Sequence, residues 1–248
     1  MSKLLRANFA RLKYSLSFCV CVIISCFEGL FNIFMCCVSS AGQPFSLAPF
    51  FCGSNTMFYT SVFIPLFIGT EYSDLTMRNK LVVGHTKKAV YLSNFITAAV
   101  CTLMIYTSYW LPAFTIGLFF GGDINMSAAG FLSMLFMNVL AILAAAAVYV
   151  MLAMLISKKS SSVTAVLIGT IILIGSATIF ETVSISFEVP ADAIFSIIAL
   201  FFTHVLPFGQ IMQIEAGSVN VLFPVYSIAV TAVSTAMGMF IFKRKDLK

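Results

Sequence analysis

Residues 70–88 read TEYSDLTMRNKLVVGHTKK, and their reading decides how the rest of the chain is threaded. Charged residues make up 9 % of the sequence, yet this stretch alone holds Glu71, Asp74, Arg78, Lys80, Lys87 and Lys88. It lies between two apolar runs, 53–70 and 89–112. An α-helix needs about 20 apolar residues to cross a bilayer core. The stretch therefore reads as a water-exposed connection between two membrane spans.

Composition carries the same reading to the whole chain. Of 248 residues, 60 % are hydrophobic, and the mean hydropathy is +1.04. A soluble domain carries roughly 25 % charged residues, so this chain lacks the polar surface to coat a water-soluble body. The apolar runs are continuous rather than alternating, which excludes a β-barrel. The fold class is all-α integral membrane, a single transmembrane domain over 1–248. Spans are expected at about 16–39, 53–70, 89–112, 128–156, 161–181 and 219–242. The start imitates a signal peptide, with Lys3, Arg6, Arg11 and Lys13 before an apolar run. That run is too long for one and contains Glu28, so it is read as a retained span.

Positive charge orients the spans. The fourteen Lys and Arg fall into four groups: before span one, between spans two and three, between four and five (Lys158, Lys159), and after six. The positive-inside rule places all four in the cytoplasm, so both termini are expected there. The apolar segment 191–207 would reverse the C-terminus if it crossed. It is read as a re-entrant or interfacial helix within an external region, 182–218. The charges of that region, with Glu181 at its edge, are all acidic: Glu188, Asp192 and Glu215. Asp192 is read as a helix cap, or as part of an acidic ring that meets a cationic molecule. At the other end, Leu5, Phe9, Leu12 and Leu16 recur at helical spacing with Lys3, Arg6 and Lys13 on other faces. That is the pattern of an interfacial helix over 1–15 in the headgroup layer.

Within 70–88, Ser73 or Asp74 is expected to cap a short helix, Gly84 to end it and Thr86 to cap the next. Met77 and Leu81 form an apolar edge flanked by Arg78 and Lys80. Two readings stand: a basic connector against lipid headgroups, or a docking element for a soluble partner. Here GTEYSDLTMRNKLVVGHTKKAVYLSN (69–94) resembles the loop between spans two and three of ABC-2 type permeases, the membrane subunits of many bacterial ABC exporters. The family pattern is an acidic residue, a gap, Gly-Thr, Arg, Leu and Gly, then a basic or hydroxyl pair. Glu71, Thr76, Arg78, Leu81, Gly84 and Lys87 supply that order, with Leu75 where the family usually has Gly.

The resemblance implies a cytoplasmic coupling helix seated in a groove of a separate ATPase subunit. Glu71, Asp74, Thr76, Arg78, Asn79 and Leu81 are its candidate ATPase-coupling residues. No G-x-x-x-x-G-K-[ST] is present, so the chain has no phosphate cradle of its own. The implied partners are two copies of an ATPase that bind ATP and Mg, a second permease chain, most simply as a homodimer, and membrane lipids. No cofactor in this chain, no catalytic residue and no nucleic acid is implied. The setting implied is a bacterial cytoplasmic membrane, and the cargo a membrane-active peptide or drug moved outward.

Inside the spans, Glu28 is the one deep charge, and an ionised carboxylate at mid-bilayer costs roughly 2.5–3.5 kcal/mol. Ser25, Glu28 and Asn32 share a polar stripe with Ser17 and Cys21. Three roles stay open for it: substrate path or dimer interface, a structural hydrogen bond, or ion coupling. Pro65 is expected to kink span two, and Pro112 to mark the outer end of span three beside Trp110. Seven cysteines lie in or near apolar runs, with a bridge from Cys52 to Cys36 or Cys37 as one option. His85 and His204 fall on opposite faces, which leaves no metal cluster. Competing functions are a bacteriocin-immunity or other membrane protein that works without an ATPase, and a secondary transporter. A protease would need paired catalytic groups, and no convincing inverted repeat supports the transporter.

Overall fold

Helices occupy all six apolar stretches, because a backbone in lipid must satisfy its own hydrogen bonds. The structure, a computed structural model, describes residues 1–40, 45–51, 53–123, 127–156, 158–187, 194–218 and 220–245. It is 87 % helical. In chain order the helices are α1 (Ser2–Lys13), α2 (Leu16–Ser40), α3 (Ser54–Ser73), α4 (Thr76–Val82) and α5 (Lys87–Phe119). They continue with α6 (Ala128–Leu155), α7 (Lys159–Phe187), α8 (Ile194–Leu200), α9 (Pro207–Glu215) and α10 (Phe223–Arg244). A 3₁₀ turn covers Ala48–Phe51, and a π-helical turn over Phe201–Val205 continues α8. Two two-residue strands, β1 (Phe45–Ser46) and β2 (Gly122–Asp123), pair in parallel and tie the α2–α3 connection to the α5–α6 connection.

Among the described residues, five helices are long and apolar enough to cross a membrane: α2, α5, α6, α10 and the Lys159–Phe180 part of α7. The count rises to six if the bent pair Ile194–Val205 and Pro207–Glu215 is one span. The chain is thus an all-α, multi-pass membrane protein. Helix α3 is not among the five, although it is 20 residues long. Asn55, Thr56, Thr60, Ser61 and Glu71 lower its hydropathy. It tolerates them because it packs against α2, α5, α6 and α7 and so needs no lipid-facing stripe.

Two expectations change. Helix α5 does not stop at Pro112 but runs through it to Phe119. Trp110 instead joins an aromatic cluster, its ring centroid 5.2 Å from Phe51 and 6.3 Å from Phe114. Helix α1 turns a face at the protein: Leu4, Asn8 and Leu12 are buried, whereas Leu16 is exposed. Residues 4, 8 and 12 share one side of a helix, and here that side is claimed by the bundle.

The segment before α10 folds as a bent pair. The Ile194–Val205 and Pro207–Glu215 helices meet at 80°, with Leu206 extended between them and Pro207 at the first turn of α9. Gly209 is required there: a Cβ would lie 2.1 Å from the Phe202 carbonyl oxygen. Gln210 joins the pair to α10, since Ser227 Oγ donates to its Oε1 at 2.6 Å. Glu188, Pro190 and Asp192, the expected cap included, lie outside the described residues, as does Cys52.

Candidate functional site

Helix α3 ends at Ser73 with Glu71 in its last turn. A carboxylate there opposes the helix dipole, and Glu71 is 0 % exposed. The fold answers with two cations. Arg11 Nη1 lies 2.8 Å from Glu71 Oε1, and Lys80 Nζ donates to the same oxygen. Asn94 Nδ2 donates to Glu71 Oε2 at 2.9 Å. Asn8 closes the ring: its Nδ2 donates to Asn94 Oδ1 at 2.7 Å, and its Oδ1 accepts from Lys80 Nζ at 2.8 Å. Four helices, α1, α3, α4 and α5, are joined through this one buried cluster. Arg11 is held further by a 2.9 Å bond from Nη2 to the Phe67 carbonyl and by stacking 3.7 Å over the Phe67 ring. Burial lowers the Arg11 pKa, an effect that Glu71 and then Asp74 oppose.

A second layer sits beside the first. Tyr72 Oη donates to the Met154 carbonyl at 2.6 Å. Lys245 Nζ donates to the carbonyls of Met154 and Leu155, both at 3.0 Å, and so covers the C-terminus of α6. Lys87 does the same for α10, donating to the carbonyls of Lys243 at 3.1 Å and Lys245 at 2.6 Å. Cations at helix C-termini satisfy carbonyls that have no partner within the helix. Burial lowers the Lys245 pKa. Basic residues read from the sequence as topology markers therefore also cap helices.

Helix α4 lies across this platform. Its C-terminus is as expected: Gly84 has φ +97°, Gly84 N–H donates to Leu81 O and His85 N–H to Lys80 O, the paired bonds of a Schellman stop. Thr86 Oγ1 accepts from Ala89 N–H at 3.3 Å and caps α5. The N-terminus differs. Neither Ser73 nor Asp74 caps α4; the cap position is Leu75, in the left-handed region at φ 55°, where glycine is the favoured residue. Ser73 Oγ donates to Asp74 Oδ1 instead.

The faces of α4 also differ from expectation. Met77 is buried and Leu81 packs against the same core, so this pair anchors the helix rather than forming an outward edge. Lys80 turns inward to Glu71. The outward face is Leu75, Arg78 and Val82, at i, i+3 and i+7, all exposed. Of the six candidate coupling residues, Asp74, Arg78 and Asn79 are exposed, Thr76 and Leu81 half-buried and Glu71 buried. Sequence reading missed Asn8, Arg11 and Asn94. The available signal was a polar residue inside the Leu4–Asn8–Leu12 stripe, and another within an apolar span.

The polar stripe of α2 lies elsewhere in the bundle. Ser25 Oγ donates to the Ile105 carbonyl at 3.0 Å, Asn32 Nδ2 to Tyr109 Oη at 3.3 Å, and Tyr59 Oη to Glu28 Oε2. All three residues face partners on α3 or α5. Gly29 permits this closeness, because a Cβ there would lie 2.1 Å from the Tyr109 carbonyl oxygen. On the opposite side of α2, Phe27, Phe31 and Phe34 are exposed. Among the described residues, no group of three or more His, Cys, Asp or Glu could hold a metal ion.

Fold and clusters together define a multi-pass helical membrane protein with an ion-paired layer at one end of its bundle. No protein-family model matches the chain, and no curated protein or solved structure does.

Proposed function

We propose that the chain is the transmembrane subunit of an ATP-driven exporter of the ABC-2 type. In this reading α2, α3, α5, α6, α7 and α10 cross the bacterial cytoplasmic membrane. The bent pair before α10 is re-entrant from outside, and both termini are cytoplasmic. Two copies form the permease, and two separate ATPase subunits bind ATP and Mg. The observation that carries the proposal is α4, a short helix clamped by the Glu71 cluster with Leu75, Arg78 and Val82 turned outward. A connector that only met lipid headgroups would need charge, not a buried network that fixes its orientation. The left-handed Leu75 adds support, since it occupies the place where the permease pattern carries glycine.

Each candidate residue then takes a role suited to its position. Arg78, Asp74 and Asn79 meet the ATPase. Thr76 and Leu81 seat the helix, with Thr76 Oγ1 donating to the Glu71 carbonyl at 3.2 Å. Glu71 transmits rather than touches, binding α4 to α1, α3 and α5. Glu28, Asn32 and Ser25 lie beside the substrate path or dimer interface, and the outward row of phenylalanines on α2 meets lipid or the second chain. The cargo is a membrane-active peptide or drug.

The test is affinity purification of the full chain from its native membrane, followed by vesicle transport. An ATP-binding protein should co-purify, and Arg78→Glu should weaken its association at least tenfold. A factor of ten is about 1.4 kcal/mol, and a like charge set against a charged partner costs more than that. Absence of any ATP-binding protein, with Arg78→Glu indistinguishable from wild type, removes the exporter reading.

A further inference from the structure

Helices α1 and α4 do not close on each other completely. Between them runs an open groove of about 310 Å³. Lys3 from α1 supplies a cation, Lys80 from α4 a second, and His85 an imidazole at the end of the α4 stop. Thr76 and Asn79 add hydroxyl and amide groups, and Ala7 keeps the wall shallow. No acidic residue is among the eight described residues that line it.

The hydrogen bonding of the neighbouring cluster points the same way. Glu71 pairs with both Arg11 and Lys80, and Asp74 acts on Arg11 as well. Of the three hydrogens on the Lys80 ammonium, Glu71 and Asn8 take two. One ammonium hydrogen of Lys80 thus remains for a ligand in the groove. Val83 in its wall stands 77 % exposed. An apolar side chain next to a cationic, hydrogen-bonding cleft suits a ligand with an anionic head and a hydrocarbon tail.

We propose that the groove between α1 and α4 binds the headgroup of an anionic phospholipid. The phosphodiester sits between Lys3, Lys80 and His85 and accepts hydrogen bonds from the two ammonium groups and the imidazole. The acyl chains leave past Val83. This site needs only that the protein lie in a membrane, so it stands apart from the exporter assignment. Its consequence is that lipid composition sets how tightly α1 is held to α4.

Native mass spectrometry of the full chain in detergent, with phosphatidylglycerol or phosphatidylcholine of identical acyl chains added, tests it. Phosphatidylglycerol should be retained preferentially. Lys3→Gln should weaken its retention roughly five-fold, the effect of about one basic residue at a charged membrane surface, and His85→Gln should weaken it as well. Ala7→Trp fills the groove without altering charge and should abolish preferential retention, while Lys13→Gln, outside the groove, should leave it unchanged. A thermal midpoint for each variant shows that it is folded. Equal retention of the two lipids overturns the proposal. So does full phosphatidylglycerol retention by a folded Ala7→Trp protein. Displacement of the lipid by millimolar inorganic phosphate would reassign the groove to a soluble anion and overturn it too.

Discussion

Removing the Glu71 carboxylate tests the cluster that orients α4. Glu71 is 0 % exposed and is the single anion between Arg11 and Lys80. Deleting one partner of a buried ion pair costs about 3–5 kcal/mol, because the remaining charge stays buried without compensation. Here the two cations retain side-chain exposures of 30 % and 14 %, so water screens part of the loss. The expected cost of Glu71→Ala is therefore at the lower end, about 3 kcal/mol. Glu71→Gln keeps the shape and an acceptor for Asn94, and should cost about 2 kcal/mol. Replacing the whole trio as Arg11→Met, Glu71→Met and Lys80→Met should recover part of the loss, since apolar substitution of a buried charged group is often neutral, while Asn94 and Asn8 lose their Glu71 and Lys80 partners. Cys101, buried in α5, is the reporter, in a protein whose other cysteines are replaced by alanine. The rate at which a thiol-reactive dye labels it along a denaturing detergent series gives the unfolding free energy. A Glu71→Ala loss under about 1 kcal/mol, or a triple variant no better than the single one, would refute the view that charge pairing holds these helices together.

Other positions give independent checks. Leu75→Gly removes a left-handed non-glycine residue at φ 55° while giving up a side chain that is already 54 % exposed. The relief of about 1–2 kcal/mol outweighs the entropy glycine costs, so the same labelling assay should show a small gain. Gly29→Ala drives a Cβ to 2.1 Å from the Tyr109 backbone oxygen. It should cost about 3 kcal/mol and separate α2 from α5, read as faster dye labelling of Cys21 or Cys26. For Lys245, burial lowers the folded-state pKa below the ordinary value of 10.5. Between those two values the unfolded chain binds more protons than the fold, so stability rises with pH across that window. Lys245→Met should flatten the rise, measured as unfolding midpoint against pH.

The local features of 70–88 were legible because their causes are local. Gly84 ends a helix through its own backbone freedom, and Thr86 caps through a hydroxyl three residues from its donor. The face of α4 that turns outward was not legible. Its seven residues carry Met77 and Leu81 on one side and Arg78 on another, and either arrangement satisfies helical spacing. What selects between them is Glu71 drawing Lys80 inward, together with Asn8 and Asn94, which lie 86 residues apart. Pro112 misled for a similar reason: it is read as a helix end, yet α5 is held on both sides of it by contacts with α2 and the aromatic cluster around Trp110.

The amino-acid sequence by itself determined that this chain is an all-helical membrane protein, where its apolar segments lie and where its charges collect. Those properties follow from transfer free energies that add up residue by residue along the chain. Only the tertiary structure decided that α3, the least apolar of the long helices, is surrounded by others. It also decided that Glu28 faces Tyr59, and that the basic residues near Glu71 divide into buried partners and exposed ones. A buried charge is stable only against a particular neighbour at hydrogen-bond distance, and that neighbour is chosen by packing between segments far apart in sequence.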